Sequence, residues 1–142
     1  YAQGEPHPEQ YLAPERLVPL IDDFRAMAAG VLAGKKGPLE QARALYDHVI
    51  DRMRYMKYGA GWGKGDAVHA CDARTGNCTD FHSLYAALAR SAGIPTRILY
   101  GSFLKQELNG KDVDQSYHCW IEFYAPEIGW IPLDVAIADA QI

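Results

Sequence analysis

In GNCTDFHSLYAALARSAGIPTR, which begins at Gly76, a cysteine follows Asn77 at the head of an amphipathic segment. Asparagine is among the best helix-capping residues, so Cys78 falls in a first helical turn, where unpaired backbone N–H groups point outward. The helix dipole there favours an anion, and a thiol of ordinary pKa about 8.5 is lowered at such an end, especially beside a histidine. The thiolate is a nucleophile, and first-turn amides such as that of Thr79 can donate to the oxyanion of acyl transfer. Asp80 suits the helix start but would oppose a thiolate lying close to it. Position alone fits a small buried hydrophobe at Cys78 equally well.

A nucleophilic thiol needs a base. His82 lies four residues on, on the same helix face, yet no evident carboxylate orients its second nitrogen, and a solvated or capping role suits it better. His7, His48 and His69 have nothing in the sequence to arrange them. His118 has a hairpin around it. Residues 117–124 and 130–135 read as strands about the turn APEIG, so that Tyr124 faces Trp130 and Trp120 faces Asp134. Asp134 is then the diagonal neighbour of His118 on one face, about 7–8 Å away between Cα atoms, a gap that a carboxylate and an imidazole can bridge. A slip of one residue would carry Asp134 to the opposite face. In this register Cys78, His118 and Asp134 supply a nucleophile, a base and the group that orients the base.

The same alternation puts Cys119 on the face opposite His118, with Ile121 and Phe123, and so in the core. Cys71 is a free surface thiol or a partner for Cys119. A zinc site built from His69, Cys71, Cys78, His118 and Cys119 has no Cys-x-x-Cys pair or other familiar ligand spacing, so neither a metal nor another cofactor is expected. Tyr58, Trp62, Tyr117, Trp120 and Tyr124 either line a substrate cleft or pack in the core, and the Trp62 indole is a candidate oxyanion donor.

Periodicity supplies the elements that must position these groups. Residues 1–14 carry prolines and polar side chains without a period and form an N-terminal arm. A helix runs from Glu15 to the glycines near residue 34, and a second from Pro38 to about Arg54. Residues 57–77 hold five glycines and read as one long loop, a wall for the cleft because it leads directly into Cys78. A third helix spans 79–92 and stops at Gly93 and Pro95. Strands at 97–104, 117–124 and 130–135 follow. Helices first and an antiparallel sheet second make one α+β domain over 15–142.

At 142 residues, 49% of them hydrophobic, the chain can bury a sizeable single core. Its net charge of −4, without a basic cluster, excludes a nucleic-acid footprint. No apolar run approaches the roughly 18 residues that membrane insertion needs, so a soluble domain is expected. A start at Tyr1 without methionine suggests an upstream segment removed by processing or cloning, with a periplasmic or secreted location left open.

GNCTDFHSLYAALARSAGIPTR and SYHCWIEFYAPEIGWIPLDV together resemble the transglutaminase-like superfamily, particularly its bacterial members. The shared features are a Gly-x-Cys-x-Asp opening, a helix ending in Ala-Gly-Ile-Pro-x-Arg, a His-x-Trp-x-Glu strand and a Gly-Trp-x-x-x-Asp strand, all in order over residues 76–135. The resemblance implies a papain-like α+β fold, with Cys78 as nucleophile, His118 as base, Asp134 as orienter, and a protein or peptide substrate. Cys119 stands where alanine is common in the family, and Val135 where proline often follows the aspartate. Membership leaves the reaction open. Related domains form a thioester and pass the acyl group to an amine or to water, or serve as inactive modules that bind protein or peptide.

Overall fold

The computed structural model describes residues 7–112 and 116–140; the first six residues of the expected arm, and part of the polar connection before the 117–124 strand, lie outside them. Helices α1 (Asp22–Val31) and α2 (Gly37–Arg52) lead into a two-residue strand, β1 (Arg54–Tyr55). A short helix, α3 (Ala67–Ala73), and strand β2 (Thr75–Gly76) precede the central helix α4 (Cys78–Ser91). Strands β3 (Thr96–Ser102), β4 (Tyr117–Ala125) and β5 (Gly129–Leu133) form an antiparallel sheet in chain order, and α5 (Val135–Ala140) follows.

Helix α4 is the hub. Phe81, Leu84, Tyr85, Leu88 and the alanines Ala86, Ala87 and Ala89 are all buried, because α1, α2, α3, α5 and the sheet enclose it from every side. A helix enclosed on every face buries its polar side chains too, and Asp80, His82, Ser83 and Arg90 are buried along with the apolar ones. Its start is fixed by a reciprocal cap: the Asn77 side chain accepts from Thr79 N at 3.0 Å, and Asp80 Oδ2 accepts from Asn77 N at 3.0 Å.

Two expected boundaries move. The first helix begins at Asp22 rather than Glu15, since Glu15 and Val18 exchange backbone hydrogen bonds in a tight bridge and Pro19 disfavours a helical residue before it. The long loop is shorter than its glycines suggest. Asp66 caps α3 by accepting from Val68 N and His69 N, and β2 pairs in parallel with β1 through Arg54–Thr75 and Tyr55–Gly76.

What remains of the loop is tied to α4 by Asp80. This fully buried carboxylate accepts from Gly63 N at 2.6 Å and Gly65 N at 3.1 Å as well as from Asn77 N. Closeness demands glycine at two positions: a Cβ on Gly76 would fall 2.5 Å from Asp80, and one on Gly65, whose φ is +69°, would fall 2.8 Å from Thr79. Asp80→Ala leaves three amides without their acceptor and is expected to lower stability by about 3 kcal/mol, taking hydrogen bonds to a charged group at about 1.5–3 kcal/mol each and allowing water to replace part of them. Urea unfolding measures this, and a loss under about 0.5 kcal/mol would show that the loop gains nothing from the anchor.

Candidate active site

The hairpin adopts the expected register: Tyr124 faces Trp130 and Ile121 faces Leu133. Pairing stops there. Where Asp134 would have faced Trp120, the chain turns into α5, and Asp134 Oδ1 accepts from Ala136 N at 3.1 Å and Ile137 N at 3.0 Å. The last position expected of the strand is thus a helix cap. Residues 117–120 of β4 extend beyond β5 with no strand on that side among the described residues, and the Cys119 N–H is one of the groups that lower the Cys78 pKa.

His118 and Asp134 meet as the diagonal predicts. Nε2 of His118 donates to Oδ2 of Asp134 in a short hydrogen bond. Nδ1 is then the ring nitrogen not engaged with Asp134, and the imidazole is among the groups that lower the pKa of the Cys78 thiol. Phe103 stacks on the imidazole, with centroids 4.3 Å apart and planes 18° from parallel, fixing its plane from the other side. His118 and Asp134 line a cavity of about 340 Å³ whose remaining walls are mainly Phe103, Trp120, Pro132 and Leu133.

Electrostatics separate the groups. Burial works to raise the Asp134 pKa, but the imidazoles of His82 and His118 and the Ile137 N–H outweigh it and hold the carboxyl at about 2. The Cys119 thiol, opposed by burial and assisted by the Cys119 N–H and His118, brings the Cys78 thiol from an ordinary 9.0 down to about 5. The neighbouring Cys78 sulfur and burial drive Cys119 upward, so that it stays a thiol.

His82 requires a correction. It is neither solvated nor a cap but wholly buried, because α4 is enclosed on the side where a residue four after Cys78 must point. Its Nε2 accepts from Val135 N at 3.1 Å and lies 3.4 Å from Asp134 Oδ1, while Nδ1 lies 3.4 Å from Cys119 Sγ. The carboxylate that the sequence reading could not find for it is Asp134 itself. Cys119 is buried as expected, but the core it faces contains Cys78. All three cysteines are free. The signal for both residues was that the helix carrying Cys78 packs on the Cys119 face of β4.

Thr79 and Tyr117 lie at the site in a form the sequence did not suggest. The Thr79 amide is already engaged by Asn77, so its hydroxyl is the available group; it stands 3.8 Å from Cys119 Sγ and bonds the Tyr117 phenol. The Cys78 N–H is directed at the phenolic oxygen of Tyr55, a residue the sequence reading passed over. Trp62 is 38% exposed on the glycine loop, and its recorded ring partner is the Lys57 ammonium at 5.8 Å. Among the described residues no three histidine, cysteine, aspartate or glutamate side chains are arranged to hold a metal ion, and no helix is long and apolar enough to cross a membrane.

Comparison with known proteins places the chain in a family. The family model described as the transglutaminase-like superfamily matches residues 25–135. An uncharacterized protein of Haemophilus influenzae is 32% identical over 124 residues, 75% of this chain and 34% of that protein. A protein-glutamine gamma-glutamyltransferase of Pseudomonas aeruginosa is 37% identical over 68 residues, 44% of this chain and 10% of its own length. The crystal structure of the periplasmic domain of TgpA from Pseudomonas aeruginosa matches with a TM-score of 0.76 at 24% identity, covering 99% of this chain and 50% of that one. The chain therefore spans about a third and a tenth of the two relatives' lengths, and the shared fold is the papain-like α+β arrangement.

A thiol lowered to about 5 is ionised at every pH above that value, whereas an unperturbed one ionises only near 9.0. The difference in thiolate ultraviolet absorbance between the wild type and Cys78→Ala should rise through a midpoint near 5. A midpoint above 8 would remove the activated thiolate from the site, since about 8.5 is where a free thiol titrates.

Proposed function

Because the chain belongs to the transglutaminase-like superfamily, we propose that it performs thiol-dependent acyl transfer, with Cys78 as nucleophile, His118 as base and Asp134 as orienter. The observation that carries this reading is the His118 ring itself: one nitrogen is bound to the Asp134 carboxylate, and the imidazole is among the groups that lower the pKa of the Cys78 thiol. The substrate class is a glutamine side-chain amide or a peptide bond. The thiolate adds to the amide carbonyl carbon, and the oxygen takes the electron pair as an oxyanion. Cys78 N–H is the donor placed for that oxyanion once the Tyr55 oxygen gives way. Collapse breaks the C–N bond, His118 gives its proton to the departing nitrogen, and a thioester remains on Cys78.

The second reactant arrives on the His118 side. Water or a primary amine passes a proton to His118, attacks the thioester carbon and releases the Cys78 thiolate. The first outcome is hydrolysis, the second amine transfer, and the balance depends on how well water is kept from the thioester. The cavity beside His118 has largely apolar walls, which suits an acceptor with an apolar body. Trp62 and its loop are proposed as a wall on the α4 side, where Gly63 and Gly65 bind Asp80.

Incubating the protein with a glutamine-containing peptide, with and without a primary amine, and weighing products and protein tests the proposal. The expected result is an acyl adduct on Cys78 that the added nucleophile discharges. His118→Ala should abolish turnover, and Asp134→Asn, folded, should slow it by about two to four orders of magnitude, on the scale of lost orienters in other triads. A domain that retains its peptide partner after Cys78→Ala and never carries a covalent adduct would be a binding module, and the acyl-transfer reading would fall.

A further inference from the structure

Helix α5 begins in the interior, and its first amide needs an acceptor that the helix cannot provide. Asp134 Oδ1 accepts from Ala136 N at 3.1 Å and Ile137 N at 3.0 Å, the second and third amides of α5, as a capping side chain does. The first amide, on Val135, is left over, and Val135 is 0% exposed, so water does not take it. Strand pairing has ended at Leu133, and Asp134 Oδ2 is bound to His118. The acceptor comes from another element: Val135 N–H donates to Nε2 of His82, on α4, at 3.1 Å.

A backbone amide can only donate, so Nε2 of His82 carries the lone pair and the ring hydrogen sits on Nδ1. That hydrogen has an acceptor too, Cys119 Sγ at 3.4 Å, and the Cys119 thiol passes its own hydrogen on to Thr79 Oγ1 at 3.8 Å. A hydrogen on Nε2 would instead meet Val135 N–H head-on. It would reach Asp134 Oδ1 only at 3.4 Å, an oxygen already taken by the Ala136 and Ile137 amides. His118 is the opposite case, since its Nε2 donates to Asp134 Oδ2. The histidines beside this carboxylate thus hold opposite tautomers.

We propose that His82 is a positioning residue for Asp134: by holding Val135 N–H, its Nε2 fixes the peptide plane between residues 134 and 135, and with it the carboxylate that His118 meets. The assignment rests on the reading of Asp134 as the orienter of His118. The Asp134 carbonyl and the Val135 nitrogen belong to one planar unit, so a single hydrogen bond sets the direction in which the chain leaves β5. His82 itself is wholly buried on α4, the helix that starts at Cys78, and lies four residues from that cysteine on the same face. The end of the sheet is thereby tied to the helix that carries the proposed nucleophile. His82 does not line the cavity beside His118, so it acts through Asp134 and not on a substrate.

The test reads the histidine rings, not turnover. In the nitrogen-labelled wild type, ring nitrogen resonances should show His82 protonated on Nδ1 and bare on Nε2, with His118 protonated on Nε2; a hydrogen on His82 Nε2 overturns the proposal. His82→Leu, of similar volume and without an acceptor, should speed solvent exchange of the His118 Nε2 hydrogen by about tenfold, the scale of an orphaned buried amide. His82→Gln places a side-chain oxygen near the position of Nε2 and should recover at least about half of that effect on a logarithmic scale. Val135→Pro removes the N–H outright, at a first helical position where proline is favoured and after a cap whose backbone is extended as a rule. In that background His82→Leu should change the exchange by less than about twofold, since the interaction it removes is already gone. Should His82→Leu alone fail to fold, a folded double variant with Val135→Pro supports the proposal and an unfolded one overturns it. Unchanged exchange in folded His82→Leu, or a tenfold effect that persists beside Val135→Pro, also overturns it. The expected pattern without an acyl adduct on any substrate supports this role and sinks the acyl-transfer reading alone.

Discussion

The carboxylate of Asp134 joins the sheet, the last helix and both buried histidines, and each of these depends on where it sits. Oδ1 caps α5 through two backbone amides, and Oδ2 receives the His118 hydrogen. Burying a carboxylate is costly unless such donors surround it. Here they do more than compensate, since the carboxyl is held at about 2 despite burial. Capping also ends β5 at Leu133, which leaves 117–120 of β4 without a strand on that side among the described residues. The free stretch of β4 backbone is what Cys78 approaches. One side chain thereby turns the edge of a sheet into a place where a helix start can dock.

The helix that docks there brings its own carboxylate, and the placement of Asp80 explains why it does not oppose the thiolate. Its oxygens turn back to Asn77 and across to Gly63 and Gly65, so three amide dipoles meet the negative charge. The same bonds fold the glycine loop over the first turn of α4. Cys78 is left with an amide that Asn77 does not take, facing Tyr55, and Tyr55 N–H is bound in turn by the Asp139 carboxylate of α5. The two ends of the site are thus linked through β1 as well as through Asp134.

Much of this was legible in residues 76–135, because strand pairing about a short turn is local and a helix start carries its own cap. The register of Tyr124 and Trp130 followed from APEIG, and Asp134 followed from the register. Asn77 announced α4. What escaped the sequence depends on contacts distant along the chain. Asp66 caps a helix of only seven residues, too short for periodicity to reveal among the glycines. Val135 starts a helix that reads equally well as a strand end, and without that helix nothing places an N–H on His82. Cys119 was rightly assigned to the core, but strand alternation reports only the face and not what packs upon it. The site lies where α4 crosses that face.

A pKa near 5 for Cys78, the proposed nucleophile, bears on the two proposed chemical steps unequally. At pH 7 a thiol of pKa 9.0 is about one per cent ionised and one of about 5 is almost wholly so, a gain of about a hundredfold in thiolate. Intrinsic nucleophilicity falls with pKa at a Brønsted slope of about 0.4–0.5, which over this range removes about forty- to a hundredfold. Attack on the amide therefore gains little from the lowered pKa. Breakdown of the thioester gains directly, because the thiolate it expels is a better leaving group the lower its pKa. In the proposed mechanism His118 serves both steps, as acid to the departing amine and as base to the incoming nucleophile, but stabilising the Cys78 anion favours the second. Donors gathered around this sulfur thus suit a chemistry in which the acyl group must be handed on.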